Sequence, residues 1–446
     1  MGHVVEMTAK GYTNKVKEAM VDDKTVQALK GAVDEGFDAQ MALTEALVRF
    51  PSTRGNEQPA QDFMAAQMHR RGLGVDRFRI DLDQIRHRPG FSPAQVSYEN
   101  AFNVVGTHRA DAPTGRSLIL NGHIDVVPTG PFEMWTTPPF EPRIAGDWLY
   151  GRGGGDMKAG LAACLAALDA IAKAGYQPAA EVIVQSVVEE ECTGNGALAC
   201  LARGYRADAV IIPEPLNEHL ICAQVGVIWF QVKVRGIPVH VAEASSGANA
   251  IEAAYEIMAA LRELEGRWNA RKVDDPHYAH VDHPINLNVG KIEGGDWASS
   301  VPAWCNFDVR VSIFPGQKIA EAKREIEQTI IEATRGNAYL QNNPPEVVYN
   351  GFEAEGYVLK GAAASGGILA KSHRAIFGKA LEETASTATT DARFFGLYGD
   401  MPALVYGPRS EHIHGFNERV SVTSIRNVTK VLALFIAEWC GLVEAS

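Results

Sequence analysis

The chain has 446 residues, 46% hydrophobic and 22% charged, which is the balance of a globular protein long enough for more than one core. Its formal net charge of -12 leaves no surplus of lysine and arginine to neutralise nucleic-acid phosphates. No apolar run approaches the roughly 18 residues of a membrane span, the opening Met1-Gly2-His3-Val4-Val5-Glu6 lacks a secretory pattern, and six cysteines without C-x-x-C pairs read as reduced thiols in a cytoplasmic protein.

Helical periodicity runs over 14–50 and Pro51 ends it. A second helix over 58–71 sets Ala60, Phe63, Met64 and Met68 on one face, ahead of a strand over 74–80. The polar stretch 81–100 reads as an irregular loop, and strands over 102–106 and 117–120 flank a turn at 112–115. Helix 158–174, strand 181–188, helix 195–203 and strand 209–212 then alternate, which implies a mainly parallel sheet flanked by helices, an α/β unit. At Val225 the texture changes. A half-exposed strand over 227–234 leads to helix 249–265, a polar loop with His277, His280 and His283, strands over 285–293 and 303–313, helix 317–335 and strand 346–349. This is the pattern of an inserted α+β unit over 225–351. The βα pattern resumes with helix 365–377, strand 403–406 and helix 423–440, so 1–224 and 352–446 should form one domain around the insert.

The chemistry gathers at predicted strand ends. His123 and Asp125 follow the apolar run Leu118-Ile119-Leu120, two apart and so on one face of an extended chain. A histidine ligand hands its second ring proton to a supporting group, and Asp125 is placed to take it. Gly153-Gly154-Gly155 delivers Asp156 ahead of a helix and lacks the spacing of a phosphate loop. Glu189-Glu190-Glu191 follows strand 181–188, Glu214 follows strand 209–212, and His414, with His412 nearby, follows strand 403–406. Side chains at the carboxyl ends of parallel strands converge. Two histidines and three carboxylates suit two borderline ions such as zinc, cobalt or manganese, and two such ions need a shared anion, for which Asp156 is the candidate. With Asp156, Glu191 and Glu214 ionised, three negative charges face four positive ones, and one hydroxide closes the gap. A further carboxylate could carry its proton to a leaving nitrogen.

Five motifs stand in order: Gly122-His123-Ile124-Asp125-Val126-Val127-Pro128; Tyr150-Gly151-Arg152-Gly153-Gly154-Gly155-Asp156-Met157-Lys158; Glu189-Glu190-Glu191 with Gly196; Ile212-Pro213-Glu214-Pro215; and His412-Ile413-His414-Gly415-Phe416-Asn417-Glu418. Through them the chain resembles, over about 40–440, the dinuclear-metal aminoacylase and carboxypeptidase family of acetylornithine deacetylase, succinyl-diaminopimelate desuccinylase and bacterial glutamate carboxypeptidase. The resemblance implies ligands His123, Asp156 and Glu214 on one ion and Asp156, Glu191 and His414 on the other. It makes Asp125 the orienting partner of His123 and Glu190 the general acid/base. It further implies that the domain of 1–224 and 352–446 is catalytic and that 225–351 is a lid that carries a homodimer contact. From Gly236-Ile237-Pro238-Val239-His240 it implies that His240 reaches an active site as an oxyanion donor. Asn249, Arg310 and, in Ala388-Thr389-Thr390-Asp391-Ala392-Arg393, Arg393 resemble residues that shape a substrate-carboxylate pocket.

The expectation is a hydrolase with two divalent metals, zinc first and cobalt or manganese as alternatives. It would cleave the amide bond of a small carboxylate-bearing N-acyl amino acid by attack of a metal-bound hydroxide, without nucleic-acid or membrane partners. An aminohydrolase or deformylase of an aromatic or heterocyclic amine is the alternative within the enzyme class. A metal-containing binding protein without catalysis is the alternative outside it, and the intact Glu190 speaks against it, because binding alone needs no such acid/base.

Overall fold

Leu118–His123 and Val182–Val187 are buried along their whole length, as strands are when helices cover both faces of their sheet. In the computed structural model, which describes residues 21–94 and 96–445, these two strands lie side by side and parallel. Their sheet has the order Gly74–Arg79, Phe102–His108, Val182–Val187, Leu118–His123, Ala209–Ile212, Ala403–Val405. The last four strands are mutually parallel, while Phe102–His108 runs against both of its neighbours. The expected mainly parallel α/β sheet is therefore present, with an antiparallel edge.

Helix Ala159–Lys173 packs between Asp23–Val48 and Val422–Cys440, which explains why it is alanine-rich and apolar almost all round. Asp22 caps Asp23–Val48 by accepting from Thr25 N at 2.7 Å. The expected start of that helix at 14, like the reading of residues 1–6, lies outside the described residues.

A second sheet, antiparallel throughout, has the order Leu287–Gly294, Trp304–Ile313, Gly226–Arg235, Glu346–Ala354. It has its own apolar core, in which Phe230 and Phe307 from the sheet meet Trp268 and Ile326 from helices Ala250–Ala270 and Ile319–Ala333. Alternation along Gly226–Arg235 puts Phe230, Val232 and Val234 into that core and Trp229 on the opposite face, beside its register partner Arg310. The strand Glu346–Ala354 runs on past the expected boundary at 351.

Two local features differ from the sequence reading. The stretch 81–100 holds a short helix, Leu82–Ile85, begun by Asp81, whose carboxylate accepts from Asp83 N at 2.9 Å. A small sheet in the order Ser410–Glu411, Arg419–Ser421, Trp148–Tyr150, Arg143–Ala145 was not expected, because strands of two or three residues are too short to display a period of two. It lays the segment after His414 against the one before Asp156. Among the described residues no helix is long and apolar enough to cross a membrane.

Candidate active site

The parallel strands end at one edge of their sheet, and the loops leaving that edge share one space. His123 closes its strand, and Glu190, Glu191 and Glu214 follow theirs by a few residues. His414 sits in a tight loop in which His412, His414 and Asn417 have φ of 58°, 62° and 58°, a reversal that brings its ring back toward the edge. Asp156 follows Gly153, whose φ of 75° turns the chain, and the Asp156–Met157 peptide is cis.

His123 Nε2 lies 3.0 Å from Asp156 Oδ1, 3.8 Å from Glu214 Oε1 and 3.9 Å from Glu190 Oε2. His414 Nε2 lies 3.3 Å from Asp156 Oδ2 and 3.1 Å from Glu191 Oε2. The two oxygens of Asp156 thus face different histidines. His123 Nδ1 is 2.9 Å from the backbone carbonyl of Asp125 and 3.6 Å from its carboxylate, whose other oxygen accepts from Glu191 N at 3.1 Å. Asp125 therefore meets the ring through its main chain, and its side chain steadies the glutamate loop.

No lysine or arginine forms an ion pair with Asp156, Glu190, Glu191 or Glu214 among the described residues. Burial pushes the Glu190 and Glu214 carboxyls well up, against the attraction of His123. The neighbouring Glu191 carboxylate raises His414 to about 11. For His123 burial opposes the charge, but Glu214, Asp125 and Asp156 outweigh it and lift the pKa well above its ordinary value. Acids and imidazoles here compete for protons, which is the electrostatics of a cation-binding site. The nitrogen and oxygen donors suit borderline divalent ions. Ligand atoms of His123, Glu190 and Glu214 lie within 4.8 Å of one another, as do those of His123, Asp156 and Glu191.

A cavity of about 690 Å³ opens between this edge and the second sheet, and Glu190, Glu191, His414, Trp229, Arg310 and Phe352 are among its walls. Arg310 reaches it with two donors turned to the backbone carbonyls of Asn286 and Thr387 and, among the described residues, no carboxylate partner, and burial lowers its pKa to about 10. The other residues expected near substrate are occupied elsewhere. Asn249 caps helix Ala250–Ala270 by accepting from Ile251 N at 3.0 Å and Glu252 N at 3.2 Å. Arg393 is buried and ties Thr390 to Thr193 through their carbonyls. His240 is exposed, accepts from Ala242 N at 3.1 Å and does not line the cavity.

Sequence reasoning passed over three groups. Glu189, at φ 70°, is pinned by both Nε and Nη2 of Arg54 and by Thr193, which separates it from its two neighbours in the glutamate run. Asp391 is buried, neither of its carboxylate oxygens is hydrogen-bonded among the described residues, and burial lifts its pKa to about 7. Glu418 is buried beneath the glycine loop that delivers Asp156. Only the Asn417-Glu418 pair hinted at it.

Comparison with known proteins gives the family and the fold. Residues 119–438 match the family described as Peptidase family M20/M25/M40. The chain is 30% identical over 443 residues to the N-formyl-4-amino-5-aminomethyl-2-methylpyrimidine deformylase of Halalkalibacterium halodurans, covering 94% of this chain and 99% of that one. It is 29% identical to the succinyl-diaminopimelate desuccinylase of Stenotrophomonas maltophilia over 87% of this chain and 96% of that one. The fold is shared with a di-peptidase from Saccharomyces cerevisiae, at a TM-score of 0.78 and 15% identity over 93% of this chain and 98% of that one.

Proposed function

Because this chain belongs to Peptidase family M20/M25/M40 and is an amidohydrolase, we propose that it cleaves the C–N bond of a small N-acyl amino acid, or a related amide, that carries a carboxylate. The observation that carries the reading is Asp156, with one oxygen toward His123 and the other toward His414. We assign His123, Asp156 and Glu214 to one divalent ion and Asp156, Glu191 and His414 to the other, with zinc preferred and cobalt or manganese as alternatives. When bound, the ions polarise the scissile carbonyl and lower the pKa of water.

Glu190 accepts the proton of the attacking water and returns it to the leaving nitrogen. Its burial favours the protonated form it needs for the second half of that task. Asp125 holds the Glu191 amide and the His123 ring, which steadies the glutamate loop and turns His123 Nε2 toward Asp156. Arg310 offers a cation to the substrate carboxylate from the opposite wall. We place the protein in the cytoplasm, in keeping with its free cysteines, and as a homodimer through the second sheet. Exposed Ile237, Val241, Ile292 and Trp297 lie on that unit, and Leu287–Gly294 is its edge strand. Such a dimer could bring His240 to the partner's site.

A second reading is favoured by the aromatic wall of Trp229 and Phe352, whose rings meet edge to face at 5.3 Å. This wall suits a flat heteroaromatic amine bearing a formyl group. Turnover should be screened across N-acetyl, N-succinyl, N-formyl and N-carbamoyl amino acids and an N-formyl aminomethylpyrimidine, with zinc, cobalt and manganese. The main reading expects amino-acid amides to win and Arg310→Met to raise their KM by roughly tenfold or more at little change in kcat. Preference for the pyrimidine, with KM indifferent to Arg310, selects the second. Elemental analysis should find two divalent ions per chain and neither in Asp156→Ala.

A further inference from the structure

The loops that carry Asp156 and His414 meet at one side chain. Glu418 is completely buried, and its two carboxylate oxygens divide four donors between them. Oε1 accepts from Gly155 N at 3.0 Å and Asp156 N at 3.1 Å, and Oε2 from Gly153 N at 3.1 Å and Arg152 Nη1 at 2.6 Å. The Glu418 carbonyl takes Gly151 N at 3.0 Å, and the next residue, Arg419, pairs with Tyr150. Arg152 closes the circuit by donating Nη2 to Gly415 O at 3.2 Å, beside His414.

The loop has little freedom to find another arrangement. A Cβ on Gly155 would come within 2.8 Å of Ser410 Oγ and 3.4 Å of Glu418 Oε1. Three amides of one loop, those of Gly153, Gly155 and Asp156, aimed at one carboxylate form a concavity that favours an anion, and charge-assisted bonds of this kind are the strong ones. Because the amide of Asp156 is itself one of the donors, the backbone from which its carboxylate projects is set by Glu418.

We propose that Glu418 is the positioning residue for the shared carboxylate, and that through it the C-terminal loop sets how the two oxygens of Asp156 are presented to His123 and His414. This rests on the metal reading above. Glutamine at 418 has a single acceptor oxygen and an amide that donates. It can serve one pair of donors and must oppose the other, so the loop has to shift.

The test is a cobalt(II) titration of the metal-stripped protein, followed by affinity and by the visible absorption that reports ligand geometry, with the melting temperature of the metal-free chain alongside. Glu418→Gln should weaken cobalt binding by about 10- to 100-fold, the usual cost of losing a supporting partner, and alter the cobalt spectrum. Arg152→Gln, which spares the three amide bonds, should lose much less. Should Glu418→Gln fail to fold, Glu418→Asp keeps the charge for Arg152 but withdraws it from the amides, and should show the same weakening. Unchanged affinity and spectrum in a folded Glu418 variant would overturn the proposal, as would equal losses from Arg152→Gln, which would assign the effect to the ion pair. A parent protein that binds no cobalt would overturn the metal reading itself, and this inference with it.

Discussion

The edge of the parallel sheet and the antiparallel unit facing it carry the same kinds of side chain bonded in opposite ways. At the parallel edge, His123, Asp156, Glu190, Glu191 and Glu214 crowd together and find no lysine or arginine among the described residues. In the antiparallel unit, Asn249 spends its oxygen on two helix amides and His240 spends a ring nitrogen on Ala242 N. What separates the regions is whether the fold itself supplies the partner each charged group needs. Carboxylates gathered in a buried place without a basic side chain cost stability, and a chain that keeps them concentrates them where a ligand will complete them.

The comparison can be broken in three places. The largest effect is expected at Glu190, where Glu190→Gln should lower turnover by about 10²- to 10⁴-fold while elemental analysis finds the metal content unchanged. Loss of metal from that variant would return Glu190 to the ligand set, where its 3.9 Å distance from His123 also allows it, and survival of turnover would end its role as acid/base. Next comes His240→Ala, expected to cost roughly 100-fold in turnover with metal affinity untouched, provided a partner's site is its target. Mixing it with inactive Glu190→Ala chains should restore part of the activity through one intact hybrid site, and no recovery in a verified heterodimer would leave His240 as a capping residue of its own chain. The smallest effect belongs to Asn249→Ala, which should remove about 1 kcal/mol of stability, read as a lower melting temperature, and leave KM alone. A raised KM there would mean that the two regions are less distinct than their bonding.

The parallel core was legible because Leu118-Ile119-Leu120 and Val182-Ile183-Val184 are continuous apolar runs, and a ligand-type residue a few positions beyond each run needs only the rule that such strand ends converge. The bonding of Asp125 was less so. Spacing of two puts it on the right face, but whether carbonyl or carboxylate meets the ring depends on the loop that also positions Glu191 N. Glu418 was nearly invisible, since its partners are backbone amides as far as 265 residues away and leave no pattern in side-chain order. His240 and Asn249 carry motif signals that the single chain spends on capping.

The amides bound by Glu418 have a kinetic meaning as well. In small domains whose ligands are gathered only by the ion, removing the metal unfolds the chain, and the ordering entropy is charged to metal binding. Here the loop bearing Asp156 is held by protein groups alone, so its ordering is completed during folding. Chelation should empty the site without melting it, and exchange of one metal for another should proceed at the rate of ligand dissociation rather than of global opening.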